Sequence, residues 1–401
     1  IFYQPQIRIK AVTFDVVAFF DTMYTLNLDI AQFLKEHWQQ KPVVIKGAFP
    51  DFEDPISADE LAGLACEEEI TSRIVVTQKD NWEVIQGPFE DYDNYGETHW
   101  QLLVQAVNHW YPDSQPLVEA FRFLPDWRFD DLMVSFATPS GGVGPHVDNY
   151  DVFIIQGEGE RRWTVGANTP QQRRGGNPNS PLVEDFEPII DVVLEKGDVL
   201  YIPPGYPHCG ETLTLALSYS IGYRAPSQQE LASEVADYLL DNNLGQQRFT
   251  SATEPANPGV ISQDHQLGIM SLLSQLAQDP TSYQVVLGKL LSQNRFELDI
   301  CEGEEAYNAD DLQDAFEQGA GVNRIGGLKV LRLENDTQSR LFINGEIYEL
   351  PNTPEAVLIQ LSDHVSFDSD SAMALCKHAE VQELLLKLIN QGLYYLSDDE
   401  A

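Results

Sequence analysis

From Asp131 to Tyr223 the apolar side chains come in short runs broken by Gly and Pro. The runs predict strands at Leu132–Phe136, Val152–Gln156, Arg162–Val165, Ile189–Leu194, Val199–Ile202 and Leu213–Tyr223. Many short strands at this spacing point to a jelly-roll sandwich or barrel. Upstream, Ile30, Phe33, Leu34 and Trp38 recur at helical spacing behind Asp29, a potential N-cap, and Pro42 ends the run. Val43–Ile45 reads as a short strand, and Ser57-Ala58-Asp59-Glu60 opens a helix with a capping box. Arg73–Thr77 and Asn81–Ile85 read as two strands joined at Lys79-Asp80, and the apolar stretch Trp100–Trp110 as a helix.

After Pro226 the period changes to that of helices. Ser227 caps a segment running to Leu244, Thr253–Pro258 is a loop, and Ile269–Leu276 and Tyr283–Leu291 add two more helices. From Ala309 the order is helix, strands at Leu328–Leu333 and Arg340–Ile343, helices at Pro354–Leu361 and Val381–Gln391, then Leu393–Leu396. That order suits a winged-helix-like module. The expected division is an extension over 1–22, a β-rich domain over 23–225, a helical region over 226–304 and a winged-helix-like domain over 305–401. Met23 is the natural beginning of the β-rich domain. The middle helices carry more apolar surface than a short segment buries alone; they serve either as an inter-subunit interface or as packing against the barrel.

Composition narrows the partners. The 401 residues contain 63 acidic and only 24 basic side chains, a net charge of −39. Affinity for nucleic acid comes from cations that displace counterions, so direct DNA binding is not expected. A basic protein or peptide would be attracted instead; the alternative is that the acidity serves solubility. Cys66, Cys209, Cys301 and Cys376 are far apart with no C-x-x-C pair, which fits a reducing cytoplasm better than a disulfide framework. No apolar run is long enough to cross a membrane.

The chemistry concentrates in Gly141-Gly142-Val143-Gly144-Pro145-His146-Val147-Asp148. On a strand, residues i and i+2 share a face, so His146 and Asp148 offer an imidazole nitrogen and a carboxylate to one point. His208, delivered by a strand after the Pro203-Pro204-Gly205 turn, would complete a 2-His-1-carboxylate set, the arrangement that leaves open positions on non-haem Fe(II). In the strand around Trp163 and Val165, Arg161 shares their apolar face and points inward, where a guanidinium requires an anion. That anion is either a dicarboxylate co-substrate held bidentately or a buried acid of the chain itself. His378-Ala379-Glu380 repeats the spacing within a helical stretch, where the two side chains diverge. His37, His99, His109, His265 and His364 read as structural, and Cys209 falls on the opposite strand face from His208.

Taken together, these residues resemble the Jumonji C (JmjC) family of 2-oxoglutarate oxygenases, in particular the bacterial ribosomal oxygenases that hydroxylate an arginine of a ribosomal protein. The likeness extends from Met23 over most of the chain, with Phe33–Phe49, Asp54–Ala65, Leu103–Trp110, Asp131–Gly157, Gly197–His208 and Gly222–Pro226 carrying it. The resemblance implies a double-stranded β-helix (cupin-like jelly-roll) core, mainly β with α, followed by a helical dimerisation region and a C-terminal winged helix. It also implies Fe(II) held by His146, Asp148 and His208, with 2-oxoglutarate and O2 as co-substrates. Arg161 would meet the distal carboxylate of 2-oxoglutarate, and Ser135 would add a second donor. A homodimer and a basic substrate, protein number sixteen of the large ribosomal subunit, are implied as well. One departure is that Glu160 precedes Arg161 where the family has a more basic run. Alternatives are a JmjC hydroxylase or demethylase of another protein, a metal-dependent cupin enzyme, and a non-catalytic ribosome-associated adaptor.

Overall fold

The structure is a computed structural model that describes residues 24–79, 81–176, 181–251, 257–276, 280–301, 303, 305–334 and 336–397. Its β-rich part contains β1 (Val43–Ile45), β2 (Ser72–Gln78), β3 (Asn81–Gln86), β4 (Trp100–Val104), β5 (Phe129–Ala137) and β6 (His146–Val147). These are followed by β7 (Asp151–Gln156), β8 (Arg161–Gly166), β9 (Pro188–Leu194), β10 (Val199–Ile202), β11 (Pro207–Thr212) and β12 (Ala216–Tyr223). Two antiparallel sheets result. The larger has the order β1-β10-β7-β12-β5-β4-β2-β3, and the smaller β6-β11-β8-β9.

Period-2 alternation gives the larger sheet two different faces. One face is apolar: Ile74, Leu102, Val104, Leu132, Val134, Phe153, Ile155, Val199, Tyr201, Leu217, Tyr219 and Ile221 belong to one buried cluster. Helices α1 (Ile30–Glu36) and α2 (Ala58–Leu64) cover it with Phe33 and Leu61. Both begin as the local chemistry requires. Asp29 accepts from the Gln32 amide, and Ser57 and Glu60 form a reciprocal capping box. The other face looks toward the smaller sheet, where Val152, Ile154, Leu200 and Ile202 pack against Trp163, Val165 and Leu194. β7 and β10 are therefore buried on both sides, which explains why their sequences are apolar without interruption.

Trp100–Trp110 is a strand followed by one helical turn, in place of the expected helix. β4 hydrogen-bonds to both β2 and β5 inside the larger sheet, and only α3 (Val107–Trp110) is helical. All five residues of β4 are buried, and burial on both faces erases the alternation that would have distinguished it from a buried helix. Ala106, with φ of 51°, makes the left-handed turn between the two elements. The strands expected at Arg73–Thr77 and Asn81–Ile85 are present as β2 and β3; Lys79 turns with φ of 53°, and Asp80 lies outside the described residues.

Beyond a short α4 (Gln115–Glu119), the helices are α5 (Gln228–Asp241), capped by Ser227, then α6 (Gln263–Leu276) and α7 (Pro280–Ser292). Most of the loop expected at Thr253–Pro258, like residues 1–22 and 398–401, lies outside the described residues. The C-terminal unit contains α8 (Ala309–Glu317), β13 (Gly321–Arg324), β14 (Val330–Leu331), β15 (Arg340–Ile343), β16 (Glu346–Glu349), α9 (Glu355–Asp363), β17 (Ser366–Phe367), α10 (Ser369–Leu375), α11 (Ala379–Asn390) and β18 (Tyr394–Ser397). It encloses a separate core built from Leu312, Phe316, Leu341, Leu361, Leu375, Leu385 and Leu388, among others. α7 packs on its β14-β15-β16 sheet, where Gly288 lies flat against the Phe342 ring.

Phe153 is the hub of the first core, fully buried with its ring against Phe33, Phe121 and Tyr201 at centroid distances of 5.5, 4.9 and 4.8 Å. Phe153→Ala is expected to lower the unfolding free energy by about 3–5 kcal/mol in chemical denaturation, the range for truncating a fully buried Phe.

Candidate active site

β6 and β11 pair antiparallel with His146 opposite His208, so the two imidazoles sit side by side with ring centroids 4.2 Å apart. Asp148, two residues beyond His146, returns to the same side of the chain. Its Oδ2 is 3.7 Å from His146 Nε2 and 3.5 Å from His208 Nε2. One donor atom from each residue falls within 4.8 Å of the others, and no other group of three His, Cys, Asp or Glu among the described residues does this. The set predicted from spacing is brought together.

Both rings are oriented from behind. His146 Nδ1 lies 2.9 Å from the Gly144 carbonyl and His208 Nδ1 lies 3.0 Å from that of Tyr206. A carbonyl can only accept, so each Nδ1 carries a proton, and Nε2 is the nitrogen each ring turns toward the common point, as a metal ligand requires. Burial, with the neighbouring His208, pushes His146 down to about 4 and keeps it neutral. Burial alone would raise the Asp148 carboxyl, but His146, His208 and the Tyr150 hydroxyl outweigh it and hold the group well below the usual carboxylate range. A neutral His146 and an ionised Asp148 are in the protonation states that bind a divalent cation.

Gly144 and Gly210 make room for this arrangement. Gly144 has φ of +79°, and a Cβ there would be 2.6 Å from the Trp82 ring, so the loop lies flat under the indole. β11 also pairs with β8, placing Gly210 opposite Trp163 and Thr212 opposite Arg161. A Cβ on Gly210 would approach Arg161 Nη2 to 3.0 Å and Trp163 to 2.9 Å.

Arg161 points inward, as alternation predicts, and is 2% exposed. Its Nη2 donates to Gln101 Oε1 at 3.1 Å and its guanidinium lies 5.0 Å from the centre of the Trp163 ring. Its Nε has no partner, and among the described residues no carboxylate forms an ion pair with it. A buried acid of the chain was one of two expected counter-charges, and none is there. Burial pushes this guanidinium down to about 10, a sign of how poorly it is compensated. Ser135, 2% exposed, lies on β5 with its hydroxyl 3.5 Å from the Ser218 carbonyl.

His146, Asp148, His208, Arg161 and Ser135 all line one cavity of about 510 Å³ between the two sheets. Sequence reasoning missed other polar residues of its wall, Gln101, Asp131 and Arg73 among them. Gln101 went unnoticed because its segment reads as a helix. Asp131 and Arg73 project from β5 and β2 on the cavity face and are bridged by Gln105: with its amide turned to satisfy both neighbours, it donates to Asp131 Oδ2 at 2.8 Å and accepts from Arg73 Nη1 at 3.3 Å. Alternation along β5 could have revealed Asp131, which shares a face with Met133 and Ser135. Burial and the adjacent Asp130 push its carboxyl up to about 7. The second H-x-E spelling leads elsewhere: His378 precedes α11, and Glu380 accepts from Asn352 and Thr353.

A JmjC domain model matches residues 116–231, and a ROXA-like winged helix model matches residues 275–395. The chain is 44% identical over 374 residues to the ribosomal protein uL16 3-hydroxylase of Escherichia coli (strain K12), covering 93% of this chain and 99% of that protein. The chain belongs to the JmjC ribosomal oxygenases. It is also 31% identical to a probable ribosomal oxygenase of Haemophilus influenzae, over 92% of this chain and 94% of that one. Among solved structures it is similar to YcfD, a ribosomal oxygenase from Escherichia coli, in complex with cobalt and 2-oxoglutarate. The TM-score is 0.84 at 44% identity, covering 93% of this chain and 99% of that one. The same protein is also solved with cobalt and succinic acid.

For this family's cavity, the unpaired Arg161 makes a direct prediction. A dicarboxylate such as succinate should raise the unfolding free energy of the native protein, by about 2.7 kcal/mol at a concentration a hundred times its Kd. Arg161→Met should lose most of that stabilisation in the same thermal-shift titration.

Proposed function

We propose that this protein is an Fe(II)- and 2-oxoglutarate-dependent dioxygenase that hydroxylates an arginine side chain of a large-subunit ribosomal protein. The observation that carries the reading is Arg161, a buried cation with no acid partner among the described residues, in the same cavity as three converging metal-type donors. In this reading His146, Asp148 and His208 hold the iron, while Arg161 and Ser135 hold the distal carboxylate of 2-oxoglutarate. When bound, iron with 2-oxoglutarate and O2 supplies an oxidative decarboxylation that yields succinate, carbon dioxide and the oxidising power to hydroxylate a carbon.

The chain's own groups do the positioning. The Gly144 and Tyr206 carbonyls hold the two Nδ1 protons and so aim both Nε2 atoms at the metal. Gln101 fixes one edge of the Arg161 guanidinium and leaves the rest for an incoming carboxylate, a charge-assisted contact. Asp131, buried in the same cavity and bridged to Arg73, is an acid on which a cationic substrate side chain can be received. The net charge of −39 draws a basic protein toward this cavity and disfavours DNA. A ribosomal substrate fits a cytoplasmic protein, and no helix among the described residues is long and apolar enough to cross a membrane.

We further propose that residues 23–225 form the catalytic domain, 226–304 the dimerisation region and 305–401 a winged helix that helps hold the substrate, with the protein a homodimer. Exposed Leu240, Ile261, Leu267, Met270 and Leu273, on or beside α5 and α6, support a partner chain covering this face.

Mass spectrometry tests the activity: a basic ribosomal-protein peptide incubated with Fe(II), 2-oxoglutarate and the protein should gain one oxygen atom on an arginine. Asp148→Ala should abolish both the oxygen gain and succinate release; undiminished turnover in that variant would overturn the metal assignment. Arg161→Met should weaken 2-oxoglutarate binding by about 1.5–3 kcal/mol, the range for a charge-assisted hydrogen bond. Sedimentation should give a dimer for the native chain and a monomer for Leu267→Glu/Met270→Glu.

A further inference from the structure

The cavity is not lined by the β-rich part alone. Arg295, which follows α7, is one of its wall residues and forms a bidentate ion pair with Asp130, the neighbour of Asp131. A segment outside the barrel thus sets a charge beside the two acids at which a cationic substrate would arrive. Besides that ion pair, a single buried ring ties the segment to the barrel.

His109, on α3, is 3% exposed. Its Nδ1 lies 2.8 Å from the carbonyl of Glu297, two residues beyond Arg295, so Nδ1 carries the proton and donates. Its Nε2 is left as a buried acceptor with no partner. The reason is steric: Gly327 of the C-terminal unit lies against that edge of the ring, with φ of +78°, and a Cβ there would be 2.1 Å from Nε2. Gly326 presses the adjoining backbone, where a Cβ would be 1.7 Å from the Asn108 carbonyl oxygen. Two glycines and an orphaned ring nitrogen at one seam mark a close contact that tolerates no added atoms.

On its other side α3 grips the cavity wall. The Asn108 side-chain oxygen accepts from the Leu132 amide at 3.1 Å, and the Ala106 amide donates to Asp131 Oδ2 at 3.1 Å. The same short helix therefore touches Asp131 in front and, through His109, both the Arg295–Glu297 segment and the Gly326-Gly327 turn behind.

We infer that His109 is a positioning residue for substrate recognition. Through Glu297 it fixes the segment after α7 that sets Arg295 against Asp130, through Gly327 it seats the C-terminal unit beside that segment, and through α3 it steadies Asp131, so the seating of the winged-helix unit bears on the cavity wall. The inference rests on the function proposed above, since it concerns the cavity wall that would receive the substrate. His109 acts as a neutral ring: burial pushes it down to about 4, so it does not switch with pH in the physiological range.

The test separates recognition from chemistry. Gly327→Ala drives a methyl group into the imidazole. It should raise KM for a basic ribosomal-protein peptide about tenfold or more, the scale of effect for a sub-ångström to ångström displacement of positioning groups. Its kcat, and its peptide-independent conversion of 2-oxoglutarate to succinate, should stay at the native level. His109→Ala should raise KM similarly, whereas His109→Asn, which keeps a donor near the Nδ1 position for the Glu297 carbonyl, should recover most of the native KM. Native KM in both Gly327→Ala and His109→Ala would overturn the inference. So would a parallel fall in peptide-independent turnover, or equal effects of Ala and Asn at His109, since each marks general damage. Native protein that releases no succinate at all would instead overturn the functional reading itself.

Discussion

The antiparallel register of β6 against β11 is the constraint on which the rest of the site depends. It sets His146 opposite His208 and leaves Asp148 to complete the set, and the same register carried on to β8 puts Arg161, Trp163 and Val165 on the inner face. A slip of one residue would turn each of those side chains to the other face of its strand. The glycines at 144 and 210 are part of this constraint. The loop before β6 and the strand opposite Trp163 approach their neighbours too closely for any side chain.

The electrostatics of the cavity are arranged as two ends with opposite needs. At one end Arg161 is buried with a neutral amide and the Trp163 ring for company, and the surrounding fold bears the cost of keeping that charge out of water. At the other end Asp130 and Asp131 are adjacent acids, one paired with Arg295 and the other bridged to Arg73 by Gln105. Between them the ionised Asp148 and the neutral His146 keep the metal-type donors in their binding forms. One cavity thus holds a guanidinium without an ion pair among the described residues and two acids that Arg295 and Arg73 already attend.

The seam at His109 ties that cavity wall to the C-terminal unit. Winged-helix modules commonly read nucleic acid with basic surfaces, and the acidity of this chain argues against that use. Here the unit instead rests on α3 through two glycines, beside the segment that carries Arg295 into the cavity. Among the described residues, the middle helices and their flanks carry a run of exposed large apolar side chains, Leu240, Ile261, Leu267 and Met270 among them.

Much was determined by the sequence itself. Local rules placed the caps at Asp29, Ser57 and Ser227, the strands around β7, β8 and β10, and the inward aim of Arg161, because these depend on neighbours a few residues away. The His146-Val147-Asp148 pair with His208 was legible because ligand chemistry restricts which residues can serve. β4 was misread as a helix, and with it Gln101 was lost, because burial on both faces removes the periodicity that marks a strand. Only the tertiary structure decided that Arg161 has no acid partner among the described residues, that Asp131 faces the same cavity, and that Arg295 arrives there from beyond the barrel. Those facts concern which distant segments lie against one another, and pairing across such separations is set by the packing of whole sheets, which no local pattern encodes.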